Sequence, residues 1–505
     1  MLNKDTKIFF LLPGLYAPLG HAIARKLKEE YGLSHMAAFT VSDWARDFVQ
    51  GQSEVRYEPH IHDQDIQDKA LTVDVDKQRL ESIEREYGLP NLWPYILVDR
   101  DIIYPFKGHP FYRYGHRVEL ETIQKLVQTY FEVLTDVFDQ VKPDYVIAGP
   151  EAGTLGLYII RSIAHKRTIP TLYLRPTRVS NKVSVAIDPV EAFERIFRAY
   201  DNLRTDKQSS PFRAEAEEYI RKFRSEHLLY EGMSARHFQN ATTKRGVFAH
   251  LPTVARDIKN ILQGAFDSLR GKRGIKAVPA TYLDDVRGTV RRNFRQFTLR
   301  GWKAFSEPRE NEEYAFYPLQ TEPEAFMLLL GQPYVDQANV IRHIARSLPL
   351  GMRLYVKEHP RMFGVRPKSF YKEFLELPNV RLINTDVDSH DLIRGARFVV
   401  TITGAVGLEA LLLGKPAITL GKVYYNRLEM IRKAHLLSDL PALVRDVLDN
   451  YEPDEPALLN FITAIFEGSV SADFRYMWRA PGGFEEIWHH PHLDDLVQLL
   501  VTEIQ

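Results

Sequence analysis

Short apolar runs alternate with longer amphipathic stretches in the first part of the chain. Lys7–Leu12 is apolar and β-prone, Pro13-Gly14 interrupts it, and Ala22–Tyr31 repeats apolar positions at helical spacing. The same order recurs, with predicted helices at Glu119–Val141 and Gly156–His165 and predicted strands at Asp144–Ala148 and Thr171–Leu174. Strands that alternate with helices predict a parallel sheet covered by helices on both faces.

The alternation returns in the third quarter and predicts a second domain. Its predicted strands are Ala325–Leu330, Arg353–Lys357, Val380–Asn384, Phe398–Ile402 and Ala417–Leu420. Its predicted helices are Asp336–Ser347, His390–Arg394 and Ala405–Leu413. We therefore expect an α/β protein with an N-terminal domain at 1–240, a helical connector at 241–310, a C-terminal domain at 311–480 and a last helix at 481–505.

Composition and charge exclude several classes of protein. The 505 residues include 66 Lys and Arg and 66 Asp and Glu, and this neutrality argues against a surface built as a whole to bind nucleic acid. The absence of cysteine excludes disulfides, thiolate nucleophiles, iron–sulfur clusters and cysteine-ligated zinc. The first apolar run is too short for a signal peptide, and no run is long enough for a membrane span. We expect a cytoplasmic protein, either free or peripheral at the inner face of the membrane.

The neutral charge is an average that conceals one basic segment. From Lys244 to Lys303 there are 14 Lys and Arg against four Asp, a net charge of +10. One interpretation is a solvated helical connector. The other is a surface for anionic lipid or for a phosphate-bearing acceptor, because each basic residue near an anionic membrane contributes about 1 kcal/mol.

The clearest chemical pattern follows the predicted strand Phe398–Ile402. Thr403 ends the strand, Gly404 allows a tight turn, and a helix begins at once, so its unpaired N–H groups favour an anion such as phosphate. Glu409 lies inside that helix, where a carboxylate can accept hydrogen bonds from ribose hydroxyls. The alternative is a structural turn with Glu409 on a solvated face.

A second pattern ends the strand Arg353–Lys357. Pro360 stops the strand, and Lys357 and His359 fall on one side at its carboxyl end, the edge where doubly wound sheets bind ligands. An ammonium and an imidazole N–H there could neutralise a departing phosphate. The alternative is a core histidine or a loop cap.

Several segments between Phe316 and Tyr425 together carry a family resemblance. They are Tyr317-Pro-Leu-Gln-Thr-Glu-Pro-Glu324, Gly331-Gln-Pro333, Leu354-Tyr-Val-Lys-Glu-His-Pro360, Thr403-Gly-Ala-Val-Gly-Leu-Glu-Ala410 and Gly414-Lys-Pro416, followed by Gly421 and Tyr424-Tyr425. They resemble bacterial capsule and surface-polysaccharide glycosyltransferases, including the retaining β-Kdo transferases. That family has the GT-B fold, in which two Rossmann-like domains face each other across a cleft.

The resemblance implies roles for individual residues. The chain is similar to CMP-sugar users in its His-Pro element, which implies that His359 contacts the nucleotide phosphate. Thr403-Gly404 would support the phosphate, Glu409 would hold the ribose, and Gln332 would line the same cleft. The implied partners are a nucleotide-sugar donor, CMP-Kdo for preference, and a glycan or lipid-linked acceptor, without a further cofactor and without nucleic acid.

The transfer needs an acid from the N-terminal half, as base or as nucleophile. Glu151 is the first candidate because Gly149-Pro-Glu-Ala-Gly153 follows a strand, and Asp188 is the second. The alternative for Glu151 is a charge at a helix N-terminus. His21 is a further candidate, for the acceptor site, because the loop from Pro13 to His21 is expected to face the cleft.

We expect no metal site. Asp74-Val-Asp76 and Asp386-Val-Asp388 do not close a clear buried strand, and His60-Ile-His62-Asp63 has no partners at defined spacing. His489-His-Pro-His492 is interpreted as a loop that enters the last helix.

Two other functions remain open. One is a nucleotide-sugar 2-epimerase, which has the same two-domain shape, and the other is a non-catalytic polysaccharide assembly factor. The chain has no Walker loop, no Gly-x-Gly-x-x-Gly and no Gly-x-Ser-x-Gly, which disfavours a P-loop kinase, a simple dehydrogenase and an α/β-hydrolase.

Overall fold

A computed structural model describes most of the chain. The described residues are 2–87, 91–103, 118–149, 153–188, 193–205, 210–226, 228, 262, 279–479 and 483–504. Glu151 and most of the predicted connector lie outside them. Within this part of the chain, the strands form two seven-stranded sheets.

The first sheet belongs to the N-terminal domain. Its strands are β1 (Lys7–Leu12), β2 (His35–Thr40), β3 (His60–His62), β4 (Tyr145–Ala148), β5 (Thr171–Pro176), β6 (Lys182–Ala186) and β14 (Val470–Ser471). Their order is β14-β6-β5-β4-β1-β2-β3, and only the pairs β5–β6 and β6–β14 are antiparallel. The first five strands therefore have the spatial order of a Rossmann-like half.

The second sheet belongs to the C-terminal domain and is parallel throughout. Its strands are β7 (Phe305–Ser306), β8 (Tyr314–Pro318), β9 (Arg353–Lys357), β10 (Val380–Ile383), β11 (Phe398–Thr401), β12 (Ala417–Thr419) and β13 (Arg432–Lys433). Their order is β13-β12-β11-β8-β9-β10-β7. Apart from β7, the strands β8 to β13 follow the doubly wound order. The order in which strands are added to the sheet reverses between β8 and β11.

Helices cover both faces of each sheet. Those of the first half are Ala17–Tyr31, Asp43–Gln50, Asp63–Ala70, Lys77–Glu86, Trp93–Val98, Arg100–Ile103, Leu120–Val141, Leu155–Lys166, Glu194–Thr205 and Arg213–Ser225. The others are Pro279–Arg300, Ala325–Leu330, Gln337–Ser347, Lys368–Leu375, Ser389–Gly395, Val406–Leu412, Leu440–Asp449, Glu455–Glu467, Phe474–Arg479, Phe484–Trp488 and Leu493–Ile504. No helix in the described ranges is long and apolar enough to cross a membrane.

The burial of the strands explains why they read as continuous apolar runs. Five of the six residues of β1 and all four of β11 are buried, as expected for parallel strands covered on both faces. One hydrophobic cluster runs from Phe9 in the first sheet to Tyr355 in the second and joins the two domains. The predicted fold class, α/β with two Rossmann-like domains facing across a cleft, is confirmed.

Two features of the C-terminal half differ from the sequence-based expectation. The predicted strand Ala325–Leu330 is wrong, because this segment is a helix and the strand of the sheet that precedes it is β8, Tyr314–Pro318. The chain also returns to the first domain before residue 480. Helix Glu455–Glu467 packs on helix Glu194–Thr205, and β14 pairs with β6.

Candidate functional site

The carboxyl ends of the strands in both sheets meet at one cleft. The main cavity has a volume of about 1060 Å³. The first domain contributes Leu15, which follows β1, and Arg175 at the end of β5. The second domain contributes the segments that follow β8, β9, β10 and β11, so the cavity includes the point where the strand order reverses. This is the position where open α/β sheets bind ligands.

Gln320 holds the loop that follows β11. With its amide oxygen turned toward the loop, Gln320 accepts the N–H groups of Thr403 (2.8 Å) and Gly404 (3.1 Å), and its amide nitrogen donates to the Thr403 hydroxyl (2.8 Å). The Gly404 N–H also lies 3.1 Å from the Thr401 hydroxyl. Thr403 and Gly404 line the cavity as expected, but their N–H groups are already engaged within the protein.

Lys357 and His359 also lie at the cavity. The Lys357 ammonium donates to Ser389 Oγ at 2.8 Å, and burial lowers its pKa to about 8, against the opposing effect of Asp388 and Asp386. The Arg361 N–H donates to His359 Nδ1 at 3.2 Å, which leaves the ring proton on Nε2. Burial lowers the pKa of His359 to about 4, so its imidazole is a neutral donor at pH 7.

A fully buried ion pair lies behind His359. Glu358 and Arg366 are both 0% exposed and are bonded to each other. Glu358 also accepts the His359 N–H at 2.6 Å and the Tyr371 hydroxyl at 2.7 Å. Arg366 donates to the carbonyl of Gln320 at 2.6 Å. A single pair therefore holds the backbone of both the His359 loop and the Gln320 loop.

Glu409 faces the N-terminal domain across the cleft. It lies one turn into helix Val406–Leu412 and lines the cavity. Burial raises its pKa to about 7, and Arg178 of the opposite domain opposes that rise. The closely packed start of this helix requires a glycine at 407, because a Cβ there would lie 2.5 Å from the Tyr425 hydroxyl.

The raised pKa of Glu409, whose side chain is half-buried, predicts a pH-dependent effect on stability. An acid whose pKa is higher in the folded state than its usual 4.5 destabilises the fold as pH rises through the interval up to about 7. Glu409→Gln should therefore raise the free energy of unfolding at about pH 8 by at most about 3 kcal/mol, and by much less at about pH 5. Urea unfolding at both pH values measures this, and an equal effect at both would contradict it.

The side of the cleft formed by the N-terminal domain and by helix Phe474–Arg479 is cationic. Its basic side chains are Arg175, Arg178, Arg475 and Arg479. Burial lowers the pKa of Arg175 to about 10, and its guanidinium lies 4.8 Å from the ring centre of Phe326 of the other domain. The opposite side carries Lys357 and Arg361 together with carboxylates, so the positive charge of the cleft is concentrated on the wall of the four arginines. The carboxylates at the cavity are those of Glu324, Glu358, Asp386, Asp388 and Glu409.

A second compartment of about 470 Å³, rich in aromatic residues, adjoins the main cavity at Arg178 and Glu409. Both domains form its walls, which include the aromatic rings of Phe193, Phe197, Tyr219, Phe223, Phe326, Tyr424 and Tyr425. The cleft therefore offers a charged part and an aromatic part side by side.

Of the two predicted catalytic acids, the structure describes only Asp188. Glu151 lies outside the described residues. Asp188 is bonded to Arg161, Nε to Oδ2 at 2.9 Å, and is not among the residues at either cavity. Among the described N-terminal residues at the main cavity, none carries a carboxylate.

Two other expectations were wrong in position. Gln332 lies in a short turn after helix Ala325–Leu330 and lines neither cavity. His21 is 0% exposed inside helix Ala17–Tyr31, with its Nδ1 3.1 Å from the Tyr57 hydroxyl. It belongs to the core of the first domain, because the helix begins at Ala17 and carries it away from the cleft.

The carboxylate and histidine motifs have structural roles. Asp76 accepts the Arg79 N–H and Asp388 accepts the His390 N–H, so each caps a helix. His60 and His62 both contact the Thr40 hydroxyl, at 2.9 and 3.0 Å. Both imidazoles are therefore engaged at the edge of the first sheet.

The loop before the last helix brings three metal-ligand groups together. Asp473, His490 and His492 have ligand atoms within 4.8 Å of one another. The Nδ1 of His492 accepts the Asp473 N–H at 3.1 Å, and the Nδ1 of His490 accepts the His492 N–H at 3.3 Å. These hydrogen bonds engage the unprotonated ring nitrogen of each histidine. The cluster is therefore explained by hydrogen bonds between the imidazoles and the backbone.

Sequence reasoning missed Gln320 and the arginines of the cationic wall as parts of the cleft, and it missed Arg366 as a residue that supports the cleft from behind. Gln320 comes two residues after β8, at the reversal of strand order, and that position was a usable signal once β8 had been recognised. Arg366 gave no signal, because its partners come together only in the folded domain.

The site is therefore a two-domain α/β cleft whose C-terminal half carries most of the expected residues. Residues 281–438, which include Lys357, His359, Thr403 and Glu409, match the family described as capsule polysaccharide biosynthesis protein. The expected resemblance to this family is confirmed over that segment.

One curated relative is similar to part of the chain. Protein FixF of Sinorhizobium fredii is 34% identical over 157 residues, which are 30% of this chain and 36% of FixF. The match thus spans little more than a third of that relative.

Two kinds of solved structure are among those to which the chain is similar. The β-Kdo 2,4 transferase KpsC of Thermosulfurimonas dismutans is 13% identical with a TM-score of 0.34, over 64% of this chain and 79% of that one. The UDP-GlcNAc 2-epimerase of Neisseria meningitidis is 12% identical with a TM-score of 0.24, over 92% and 99%.

Proposed function

We propose that the protein is a glycosyltransferase of capsule or surface-polysaccharide synthesis. It transfers a sugar from a nucleotide donor to a glycan or lipid-linked acceptor, and it works without a metal. The observation that carries the proposal is that the segment matching the capsule family supplies one wall of a cleft whose other wall is a second Rossmann-like domain. Two walls of this kind suit a donor on one side and an acceptor on the other.

The proposed donor is a CMP-linked acidic sugar, with Kdo as the best candidate. Such a donor carries a phosphodiester and a sugar carboxylate, two negative charges a few ångströms apart. The cleft has basic groups on both walls, Arg175 and Arg178 on one side and Lys357 on the other. The arginine side of the cleft has no carboxylate among the described residues at the main cavity, and it therefore favours an anionic sugar over a neutral one on that side.

The C-terminal residues have proposed roles toward the nucleotide. His359 donates from Nε2 to the phosphate, and Lys357 supplies a nearby positive charge. Gln320 fixes Thr403 and Gly404 so that the start of the following helix faces the phosphate. Glu409, when ionised, accepts from the ribose hydroxyls. Gln332 has no role in this proposal.

The transfer breaks the bond between the sugar carbon and the phosphate oxygen and forms a bond to the acceptor oxygen. CMP leaves with the electron pair, and basic groups stabilise its charge. A carboxylate takes the proton of the acceptor hydroxyl or forms a covalent intermediate. Glu151 remains the first candidate for this role, and Asp188 the second, although its pairing with Arg161 counts against it.

Separate incubations with CMP-Kdo and UDP-GlcNAc test the function. We expect hydrolysis or transfer to release CMP from CMP-Kdo, and Glu151→Gln to lower turnover by about 100-fold or more while CMP affinity is kept. Formation of UDP-ManNAc without acceptor would instead identify an epimerase. Calorimetric CMP binding without turnover of CMP-Kdo, across a panel of glycan and glycolipid acceptors, would favour the assembly factor.

The proposed partners include an anionic membrane surface, where a lipid-linked acceptor would be found. The net charge of +10 between Lys244 and Lys303 supports this location.

A further inference from the structure

Helix Pro279–Arg300 presents an apolar stripe to solvent. Val290, Phe294 and Phe297 are 54%, 67% and 63% exposed. Their spacing of four and then three residues places them on one side of the helix. Isolated exposed apolar residues are common on protein surfaces, but two phenylalanines in one row mark a contact surface.

The opposite side of the same helix is attached to the C-terminal domain. Leu299 is 1% exposed, Gln296 donates to the Phe363 carbonyl at 3.1 Å, and Arg295 donates to the Val365 carbonyl at 2.8 Å. Because Leu299 and Gln296 lie on the far side of the helix from Phe294, the stripe points away from the domain that holds it.

The positive charge of this helix indicates which kind of partner the stripe contacts. Helix Pro279–Arg300 contains five arginines and two aspartates, and it closes the segment with a net charge of +10. Arg291 and Arg300, both exposed, lie on the two flanks of the stripe. A second copy of the chain would bring an equally basic segment against the first, whereas an anionic bilayer offers apolar depth and opposite charge together.

We propose that the stripe Val290–Phe294–Phe297 is a docking surface for an anionic lipid bilayer, with the phenylalanine rings at the level of the acyl boundary and the flanking arginines among the headgroups. This deepens the membrane partnership included in the proposed function and rests on it. Arg292 of the same helix donates to the carbonyl of Arg361 at the cleft, at 3.0 Å. Docking through this helix would therefore hold the cleft close to the lipid surface.

Vesicle co-sedimentation of the full chain tests the surface without any sugar substrate. We expect binding to vesicles that contain phosphatidylglycerol, little binding to phosphatidylcholine alone, and a decrease with salt. The double variant F294S/F297S should lower the apparent affinity by about tenfold or more, because two rings lose their apolar contact. L350S is the matched control, since Leu350 is 106% exposed and far from the helix in sequence; it should bind as the unmodified chain does.

Three results would overturn the proposal. Vesicle binding unchanged in F294S/F297S places the membrane contact elsewhere. A concentration-dependent dimer that this variant abolishes, seen by light scattering, assigns the stripe to a second copy. Absence of vesicle binding, together with a lower melting temperature of F294S/F297S than of L350S, assigns it to another part of the same chain. CMP release from CMP-Kdo in solution is measured on the same samples, so failure of docking and failure of the transferase activity are told apart.

Discussion

Replacing Glu358 with alanine is expected to lower the free energy of unfolding by about 3–5 kcal/mol, because it leaves a buried arginine without its main partner. Glu358 and Arg366 are both 0% exposed. Glu322, at 3.4 Å, is a second carboxylate beside Arg366 and would remain in this variant. The Tyr371 hydroxyl and the His359 N–H would lose their acceptor in the same variant. Urea unfolding followed by circular dichroism measures the loss.

The matched control is Glu313→Ala. Glu313 also pairs with an arginine, Arg397, but the two side chains are 60% and 47% exposed. An exposed pair of this kind contributes about 0–1 kcal/mol. Equal losses of unfolding free energy in the two variants would mean that burial does not determine how much the Glu358–Arg366 pair contributes. The pair would then not be a main source of stability for the loops behind the cleft.

The strands of the C-terminal domain were predictable where a run of β-prone residues is ended by a residue that stops a strand, such as proline. Arg353–Lys357 was predicted with the bounds that the structure has, because a Pro follows it closely and its residues are β-prone. Ala325–Leu330 was wrong because a six-residue run of Ala, Phe, Met and Leu has no period that separates a strand from a helix. Leu, Met and Ala favour the helix, and β8 already occupied the place in the sheet.

The parts of the site differ in how far sequence could reach them. Lys357, His359, Thr403 and Glu409 were expected at the cleft because each lies at or after a recognisable strand end, and such ends meet at one edge of a parallel sheet. Gln320 is hydrogen-bonded to Thr403, more than 80 positions away in the chain. The two residues meet because β8 and β11 are adjacent strands of the sheet. His21 was misplaced because a loop was expected where the helix had already begun.

Replacing His359 with alanine is expected to weaken CMP binding by about 10- to 150-fold, the range for a lost hydrogen bond to a charged group. The Arg361 N–H at Nδ1 leaves Nε2 as the donor toward the cleft. Isothermal titration calorimetry with CMP measures the change. His489→Ala is the control, because the side chain of His489 is 74% exposed and not among the described residues at the main cavity, and it should bind CMP normally.

The pH dependence of the same measurement separates two ways in which His359 could act. With a pKa near 4, the ring is neutral from about pH 5.5 to 8, so the difference in CMP affinity between His359→Ala and the unmodified chain should stay constant over that range. A histidine that binds phosphate as a cation would instead lose its contribution as pH rises through about 6.5. Such a loss would reject the neutral-donor role, and an affinity untouched by His359→Ala would move phosphate recognition to the arginines of the opposite wall.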